Sequence, residues 1–162
     1  MKNQDKIYVD WIDRVKVLQK AVIFNENGRI LALKRADDKN RPHPGCWDLA
    51  GGRVESSDIE KWKNKSGKGD DNDILINALR REIKEETGLE VKNICAIHAA
   101  SAYSESKGMF IMAIGYSCKA ADESRLKLSA EHTEFRWAAK EEFMELEIGN
   151  DGRFIESFLD KL

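Results

Sequence analysis

The pattern of apolar and polar positions along the chain predicts five strand-like segments. The first two are separated by Asn27-Gly28, the dipeptide that a tight hairpin turn favours because it tolerates positive φ. Two later segments are long and are joined by a polar connection at residues 104–108. The segments with strand-like patterning are residues 16–24, 29–34, 90–103, 109–118 and 135–138, and residues 46–49 form a short run after a polar loop.

Helical periodicity predicts three further elements. Residues 74–87 carry apolar side chains at helical spacing, with Asp73 as a natural N-cap and Gly88 as a natural C-terminal stop. A short helix is predicted over 140–146, and an amphipathic helix ends the chain. The apolar positions of that last helix are Phe154, Ile155, Phe158, Leu159 and Leu162. Strands and helices do not alternate regularly, which favours an α+β fold with a mixed sheet.

Composition narrows the class of protein. The 162 residues correspond to one domain, and 41% apolar residues can build one core. The net charge of -2 argues against non-specific nucleic-acid binding, and with this apolar content it also argues against disorder. Cys46, Cys95 and Cys118 have no metal-ligand spacing, so we expect free thiols. Without a membrane span or a signal-peptide core, we expect a cytoplasmic protein.

A polar stretch at residues 56–72 interrupts the apolar pattern. It holds eight charged side chains and two glycines, and its only large apolar residues are Ile59 and Trp62. Segments on both sides of it look like parts of one unit. We therefore predict a single domain over residues 1–162, in which 56–72 is an inserted surface loop.

Three carboxylates on the predicted central helix indicate chemistry. Glu82, Glu85 and Glu86 fall within an arc of about 100° and border the apolar stripe that contains Leu79 and Ile83. Carboxylates spaced by three or four residues repel one another by roughly 0.2–0.5 kcal/mol when exposed. A solvated charged face is the simpler explanation of such a cluster. A bound divalent cation would relieve the repulsion directly, and clustered carboxylates suit Mg²⁺ or Mn²⁺.

Residues 81–89 carry a recognisable motif. Their sequence, Arg-Glu-Ile-Lys-Glu-Glu-Thr-Gly-Leu, resembles the second half of the Nudix box, the signature of the Nudix hydrolase family. That pattern requires Arg-Glu, an aliphatic residue, any residue, Glu-Glu, any residue, Gly and an aliphatic residue, and every position matches. Residues 47–55 also resemble the family, although Ala50 stands where proline is commoner.

The first half of the box is altered. The family pattern opens with Gly, five spacer residues and Glu, followed by seven residues before the Arg. Counting back from Arg81 places Asp73 at the Glu position. Gly52 then precedes Asp73 with 20 residues between them instead of five. We therefore expect residues 56–72 to lie in an insertion of about fifteen residues within the box loop.

The resemblance implies both a fold and a metal site. The fold would be a Nudix-type α/β/α sandwich with a mixed central β-sheet. The activity would be Mg²⁺-dependent hydrolysis of a nucleoside diphosphate linked to another group, with Mn²⁺ as a possible substitute. The implied metal ligands are Glu82, Glu85, Glu86 and the carbonyl of Gly51.

The catalytic residues implied by the resemblance include Arg81, which is expected to orient a box carboxylate; a surface salt bridge is the simpler alternative. Candidates for the general base are Glu82, Glu131 and Glu134, and we favour Glu131 as the base or as an additional ligand. The predicted catalytic set is therefore Glu82, Glu85, Arg81 and Glu131. No Ser-His-Asp or Cys-His arrangement is recognisable in the sequence, so water is the expected nucleophile.

Two residues are predicted to bind substrate. Arg35 is expected to contact phosphates, although a surface arginine at a strand end is an equal alternative. Trp47 is expected to stack on a base, although aromatic residues in strands more often pack in the core. His132 is expected to be an ordinary loop histidine rather than a catalytic one.

Three functions compete at this stage. The leading one is a pyrophosphohydrolase acting on a small nucleotide, with nucleoside triphosphates slightly favoured. The second is a Nudix-fold isomerase similar to isopentenyl-diphosphate isomerase, which Cys46 would serve. The third is a non-catalytic nucleotide sensor. The expected partner is a small nucleotide, without membrane or nucleic acid, and the expected state is a monomer or homodimer.

Overall fold

A six-stranded mixed sheet organises the computed structural model, which describes residues 14–40, 43–64, 73–149 and 152–162. Five strands follow the order β3-β2-β1-β5-β4, and β6 pairs with β2. The strands are β1 (Val15–Phe24), β2 (Ile30–Arg35), β3 (Trp47–Asp48), β4 (Val91–Ser104), β5 (Met109–Ala120) and β6 (His132–Ala138).

The central pair of the sheet is parallel. β1 and β5 run together from Val15 opposite Phe110 to Phe24 opposite Lys119. All other strand pairs are antiparallel, including the hairpin of β1 and β2. The turn of this hairpin contains Gly28 at φ 70°, as the sequence predicts. The prediction of an α+β fold with a mixed sheet is confirmed.

Helices cover both faces of the sheet. One core forms where α2 packs Leu79 and Ile83 against the sheet. The second core contains Phe143 of α3 with Ile155 and Leu159 of α4. These cores make the molecule a three-layered α/β/α sandwich, as expected. The helices are α1 (Ser56–Lys63), α2 (Ile74–Thr87), α3 (Lys140–Met144) and α4 (Gly152–Leu159), with short 3₁₀ helices at Glu105–Lys107 and Glu123–Arg125.

The ends of α2 follow from local chemistry. The Asp73 carboxylate accepts hydrogen bonds from the amides of Leu75 at 2.8 Å and Ile76 at 3.2 Å. Gly88 ends the helix in the left-handed conformation, with φ 69°. The prediction of a helix over 74–87 is therefore confirmed at both ends.

The prediction of a loop over 56–72 is wrong for its first half. Residues 56–63 form α1, whose first turn is closed by the Asp58 carboxylate accepting the amide of Glu55 at 2.9 Å. Residues 65–72 lie outside the described part of the chain. The single domain over residues 1–162 stays a prediction. Among the described residues, no helix is long and apolar enough to cross a membrane.

The three cysteines differ in environment, and this difference predicts their reactivity. All are free; Cys95 is exposed, Cys46 is half-buried and Cys118 is buried. Burial raises the pKa of the Cys118 thiol to about 12. At neutral pH we expect iodoacetamide to label Cys95 first and to leave Cys118 unlabelled until the chain unfolds. Time-resolved peptide mass spectrometry checks this order, and labelling of Cys118 in the folded protein as fast as Cys95 would contradict it.

Candidate active site

Arg81 stands at the centre of a dense set of oxygen partners. Its Nε and Nη2 atoms donate to the two carboxylate oxygens of Asp58, each at 2.9 Å. Nη2 also donates to the Arg53 carbonyl at 3.0 Å. Nη1 donates to Glu85 at 3.0 Å and lies 3.2 Å from Glu82. The guanidinium therefore joins α1, the loop before it and two carboxylates of α2.

Asp58 is the partner that sequence reasoning missed. Its side chain is only 2% exposed, and the hydrogen bond from Arg81 lowers its pKa despite this burial. Five residues separate Gly52 from Asp58, which is the spacing that the box pattern requires. Asp58 therefore takes the acidic position of the box, and the prediction that Asp73 takes it is wrong. Counting forward from Gly52 gives Asp58 and counting back from Arg81 gives Asp73, and the contact with Arg81 decides between them.

Two of the three α2 carboxylates contact the loop that follows β3. Glu86 accepts the amide of Gly51 at 2.8 Å, and Glu82 accepts the amide of Arg53 at 3.2 Å. A Cβ on Gly52 would lie 2.3 Å from the Glu82 carboxylate carbon, so only glycine allows this close approach. The carboxylates of α2 therefore hold the loop against the helix by accepting hydrogen bonds from the loop amides.

The same loop is fixed to β1 by two backbone hydrogen bonds. The amides of Gln19 and Ala21 donate to the carbonyls of Gly52 and Ala50, each at 2.8 Å. These bonds omit the carbonyl of Gly51, the group predicted to bind metal. Gly51 has φ 134°, and a Cβ there would come within 2.2 Å of the Gln19 carbonyl oxygen. Glycine is therefore required at this position by both conformation and space.

A small cavity brings the predicted catalytic carboxylates together. Its volume is about 90 Å³, and it lies where α2 faces the loop before β6. The amide of Ser129 in that loop donates to the backbone carbonyl of Glu86 at 3.0 Å, which holds the two segments together. The lining residues are Glu82, Glu85, Glu86, Ser129 and Glu131. The structure thus places Glu131 beside the α2 carboxylates, while its catalytic role stays a prediction.

The electrostatics of this cavity favour a cation. Burial raises the pKa of Glu86 to about 8, an effect that nearby Lys20 reduces without cancelling. Glu85 is 59% exposed and points to solvent beyond Arg81. Clustered carboxylate oxygens of this kind are the donors that hard divalent cations prefer. Within the described ranges, no three His, Cys, Asp or Glu side chains are placed closely enough to hold a metal ion. The donor types fit Mg²⁺ or Mn²⁺, while Arg81 pairs with Glu82 and Glu85 in this arrangement.

Arg35 lies in a second charged cluster. Its Nη1 donates to Asp48 at 2.9 Å, and buried Lys20 donates to the same carboxylate oxygen at 2.6 Å. Burial alone would raise the pKa of Asp48, but Lys20 and Arg35 hold it below its ordinary value. Two cations against one carboxylate leave this cluster with an excess positive charge. The predicted contact of Arg35 with phosphate agrees with that charge and stays a prediction.

Trp47 is placed in the core. Its ring is 6% exposed and packs in the core beside α3 and α4. The Arg136 guanidinium lies 4.7 Å from the ring centroid, which is a cation–π distance. The predicted stacking of a base on Trp47 is not tested directly, but the structure gives this ring a packing role.

The remaining candidates lie elsewhere. Glu134, considered as a general base, lies 2.9 Å from Arg136 and 3.7 Å from Lys34 and does not line the carboxylate cavity. Cys46 does not line it either. His132 begins β6 and is buried, so the prediction of a loop histidine is wrong. Its Nδ1 has no hydrogen-bond partner among the residues that the structure describes, and burial lowers its pKa to about 4.

Comparison with known proteins agrees with the motif. The chain matches the family model described as NUDIX domain over residues 19–158. ADP-ribose pyrophosphatase of Methanocaldococcus jannaschii is 32% identical over 111 residues, covering 64% of this chain and 54% of that protein. A MutT-like protein of Streptomyces ambofaciens is 26% identical over 124 residues, covering 76% and 64%. The matched part of the chain thus spans between about half and two thirds of these curated relatives.

A solved structure agrees with the fold. The MutT NUDIX hydrolase from Burkholderia pseudomallei superposes with a TM-score of 0.66 at 22% identity, covering 93% of this chain and 99% of that one. At this identity the likeness shows the architecture alone. It supports the sandwich described above.

Alanine substitutions of Asp58 and Asp73 test which aspartate holds the box position and which only caps a helix. We expect Asp58→Ala to lower the free energy of unfolding by about 3 kcal/mol, because it leaves a largely buried guanidinium without its bidentate partner. Asp73→Ala, the matched control, removes only a cap and should cost about 1 kcal/mol. Urea unfolding of the metal-free proteins measures both values. Equal losses, or a larger loss for Asp73→Ala, would contradict the assignment of Asp58.

Proposed function

We propose a reaction for this chain, which belongs to the NUDIX family. The reaction is hydrolysis of the diphosphate linkage of a small nucleoside diphosphate derivative. The observation that carries this proposal is the cavity shared by Glu131 and the three α2 carboxylates, beside the glycine loop. Burial disfavours the charged form of Glu86, so a bound cation would offset the cost of keeping this cluster charged.

Mg²⁺ is the proposed cofactor, with Mn²⁺ as a substitute. Glu82, Glu85 and Glu86 would hold it, with the carbonyl of Gly51. When bound, the ion would neutralise diphosphate charge and polarise the water and the phosphorus–oxygen bond. Carboxylates alone would repel a diphosphate, so the protein needs this counter-charge.

Proton transfer, positioning of the carboxylates and phosphate binding are each assigned to a residue of the chain. Glu131 comes from a different element than the other carboxylates and is proposed to take the proton from the attacking water. Arg81 positions Glu85 and Glu82 through its contacts at 3.0 and 3.2 Å. Arg35, supported by Asp48, is proposed to contact the phosphates. Water is the proposed nucleophile, and the departing phosphate group leaves with the bridging oxygen.

The proposed substrate class is defined by a bond that the candidate substrates share. One curated relative is named ADP-ribose pyrophosphatase, and the other is named a MutT-like protein. Our sequence-based preference is for nucleoside triphosphates. Both classes contain a phosphoric anhydride attached to a nucleoside, and the proposal is made for that bond. The isomerase alternative requires a thiol at the site, but Cys46 does not line the carboxylate cavity.

Glu85→Gln tests the assignment of the carboxylates. We expect at least about a hundredfold loss of kcat, because a hard anionic ligand is replaced by a neutral amide. The thermal melting temperature should change little, since the side chain is 59% exposed. Hydrolysis of ADP-ribose and of nucleoside triphosphates with Mg²⁺, followed by mass analysis of the products, measures the effect.

Glu90→Gln is the matched control. Glu90 is exposed and pairs with Lys84 at 2.8 Å on the surface, outside the cavity. This variant should keep full activity and the same Mg²⁺ dependence. Full activity in Glu85→Gln, or equal losses in both variants, would remove the proposed site.

Hydrolysis in ¹⁸O-labelled water tests the nucleophile. If water attacks phosphorus, one labelled oxygen should enter a phosphate product during a single turnover. Mass spectrometry of products formed with enzyme in excess over substrate gives this count. A first turnover without label, or a trapped phosphoryl-enzyme adduct, would show that a protein side chain attacks instead.

A further inference from the structure

A larger cavity lies between α1 and α2, next to the carboxylate site. Its volume is about 430 Å³, within the range typical of sites for small organic ligands. Its lining residues are Asp58, Lys61, Trp62, Asn64, Asn77 and Arg81. Four of these six belong to α1 and its C-terminal cap, so the cavity exists because this chain carries that helix.

Trp62 gives the cavity an aromatic wall. Trp62 and Ile59 are the large apolar residues of α1, and 41% of Trp62 remains exposed. An indole that lines a cavity offers a stacking surface for a planar aromatic ligand, and every nucleobase has a matching face. The amide of Asn64 supplies a donor and an acceptor, as the edge of a base requires. The Lys61 ammonium adds a positive charge at the same opening.

Arg81 connects this cavity to the proposed catalytic carboxylates. Its guanidinium lines the cavity while its Nη1 donates to Glu85 at 3.0 Å. Asp58, which also lines the cavity, accepts two hydrogen bonds of 2.9 Å from the guanidinium. A ligand held between α1 and α2 therefore lies one side chain away from the carboxylates. An aromatic group and a diphosphate on one molecule can reach the two sites together.

We propose that the cavity between α1 and α2 binds the nucleobase of the substrate, stacked on Trp62. This inference rests on the proposed function, since it names where the base of the hydrolysed nucleotide lies. It assigns base selection to residues that follow the acidic position of the box. The residues that hold the diphosphate are then separate from the residues that select the base.

Binding of ADP and of inorganic pyrophosphate, each with Mg²⁺, tests the proposal by isothermal titration calorimetry. Pyrophosphate lacks a base, so it reports the carboxylate site alone. We expect Trp62→Ala to weaken ADP binding about tenfold and to leave pyrophosphate binding within about twofold, because only base stacking is lost. Trp62→Phe keeps an aromatic face and should lose no more than about threefold.

Ile59→Ala is the matched control. Ile59 lies on the same helix and is 39% exposed, close to the value for Trp62, but it does not line the cavity. It should bind ADP like the wild type. Melting temperatures of all variants establish that they fold.

The outcomes separate this inference from the proposed function. Unchanged ADP binding in Trp62→Ala, or a wild type that binds ADP no more tightly than pyrophosphate, would overturn the cavity assignment whether or not nucleotides are hydrolysed. Trp62-dependent ADP binding without hydrolysis of any nucleotide diphosphate would overturn the proposed function and support the cavity as a base-binding site. A raised KM at unchanged kcat in Trp62→Ala would support both.

Discussion

The ion pair between Arg81 and Asp58 is the contact on which the site depends. It joins α1 to α2 through two residues that lie 23 positions apart in sequence. The contact consists of two parallel hydrogen bonds of 2.9 Å. The other nitrogen of the fork reaches Glu85 and Glu82, so the same cation moderates the repulsion between neighbouring carboxylates. A lysine could not replace it, because a single ammonium lacks the planar fork that serves several partners at once.

The second constraint is the glycine loop between β3 and α1. Its neighbours on each side of Gly51 are fixed to β1, while the Gly51 amide serves Glu86. Burial raises the pKa of Glu86 to about 8, although the Lys20 charge and the hydrogen bond from the Gly51 amide both act to lower it. The sheet thus holds the glycine loop in place, and α2 carries the carboxylates. Both are needed to place the carboxylates against the loop.

Much of this arrangement could be predicted from local signals. The Asn27-Gly28 turn, the Asp73 cap and the Gly88 stop depend on a few adjacent residues, and the helix they bound has the predicted ends. The acidic position of the box could not be decided by spacing alone, because an insertion makes counts from the two ends disagree. Only the tertiary contact with Arg81 distinguishes Asp58 from Asp73.

The wrong predictions, for residues 56–63 and for His132, arise from tertiary contacts that the sequence pattern does not report. Helix α1 is polar and carries little apolar signal, and its contact with α2 is an ion pair that periodicity does not report. His132 looks like a loop residue because its neighbours are polar, but pairing with β2 buries it. The prediction for Arg35 is not among these errors, but nothing in the sequence pattern indicates its partner Asp48, which lies beyond an intervening polar loop.

The parallel pairing of β1 with β5 has a consequence for how the protein is made. Val15 lies opposite Phe110, so the central strand pair closes a very long loop and cannot form while the first half of the chain is being synthesised. The strand that anchors the glycine loop therefore lacks its central neighbour until β5 has left the ribosome. Until then the backbone N–H and C=O groups on that edge of β1 are unpaired and can pair with another chain. During synthesis β1 is therefore an edge strand on the side that β5 later covers.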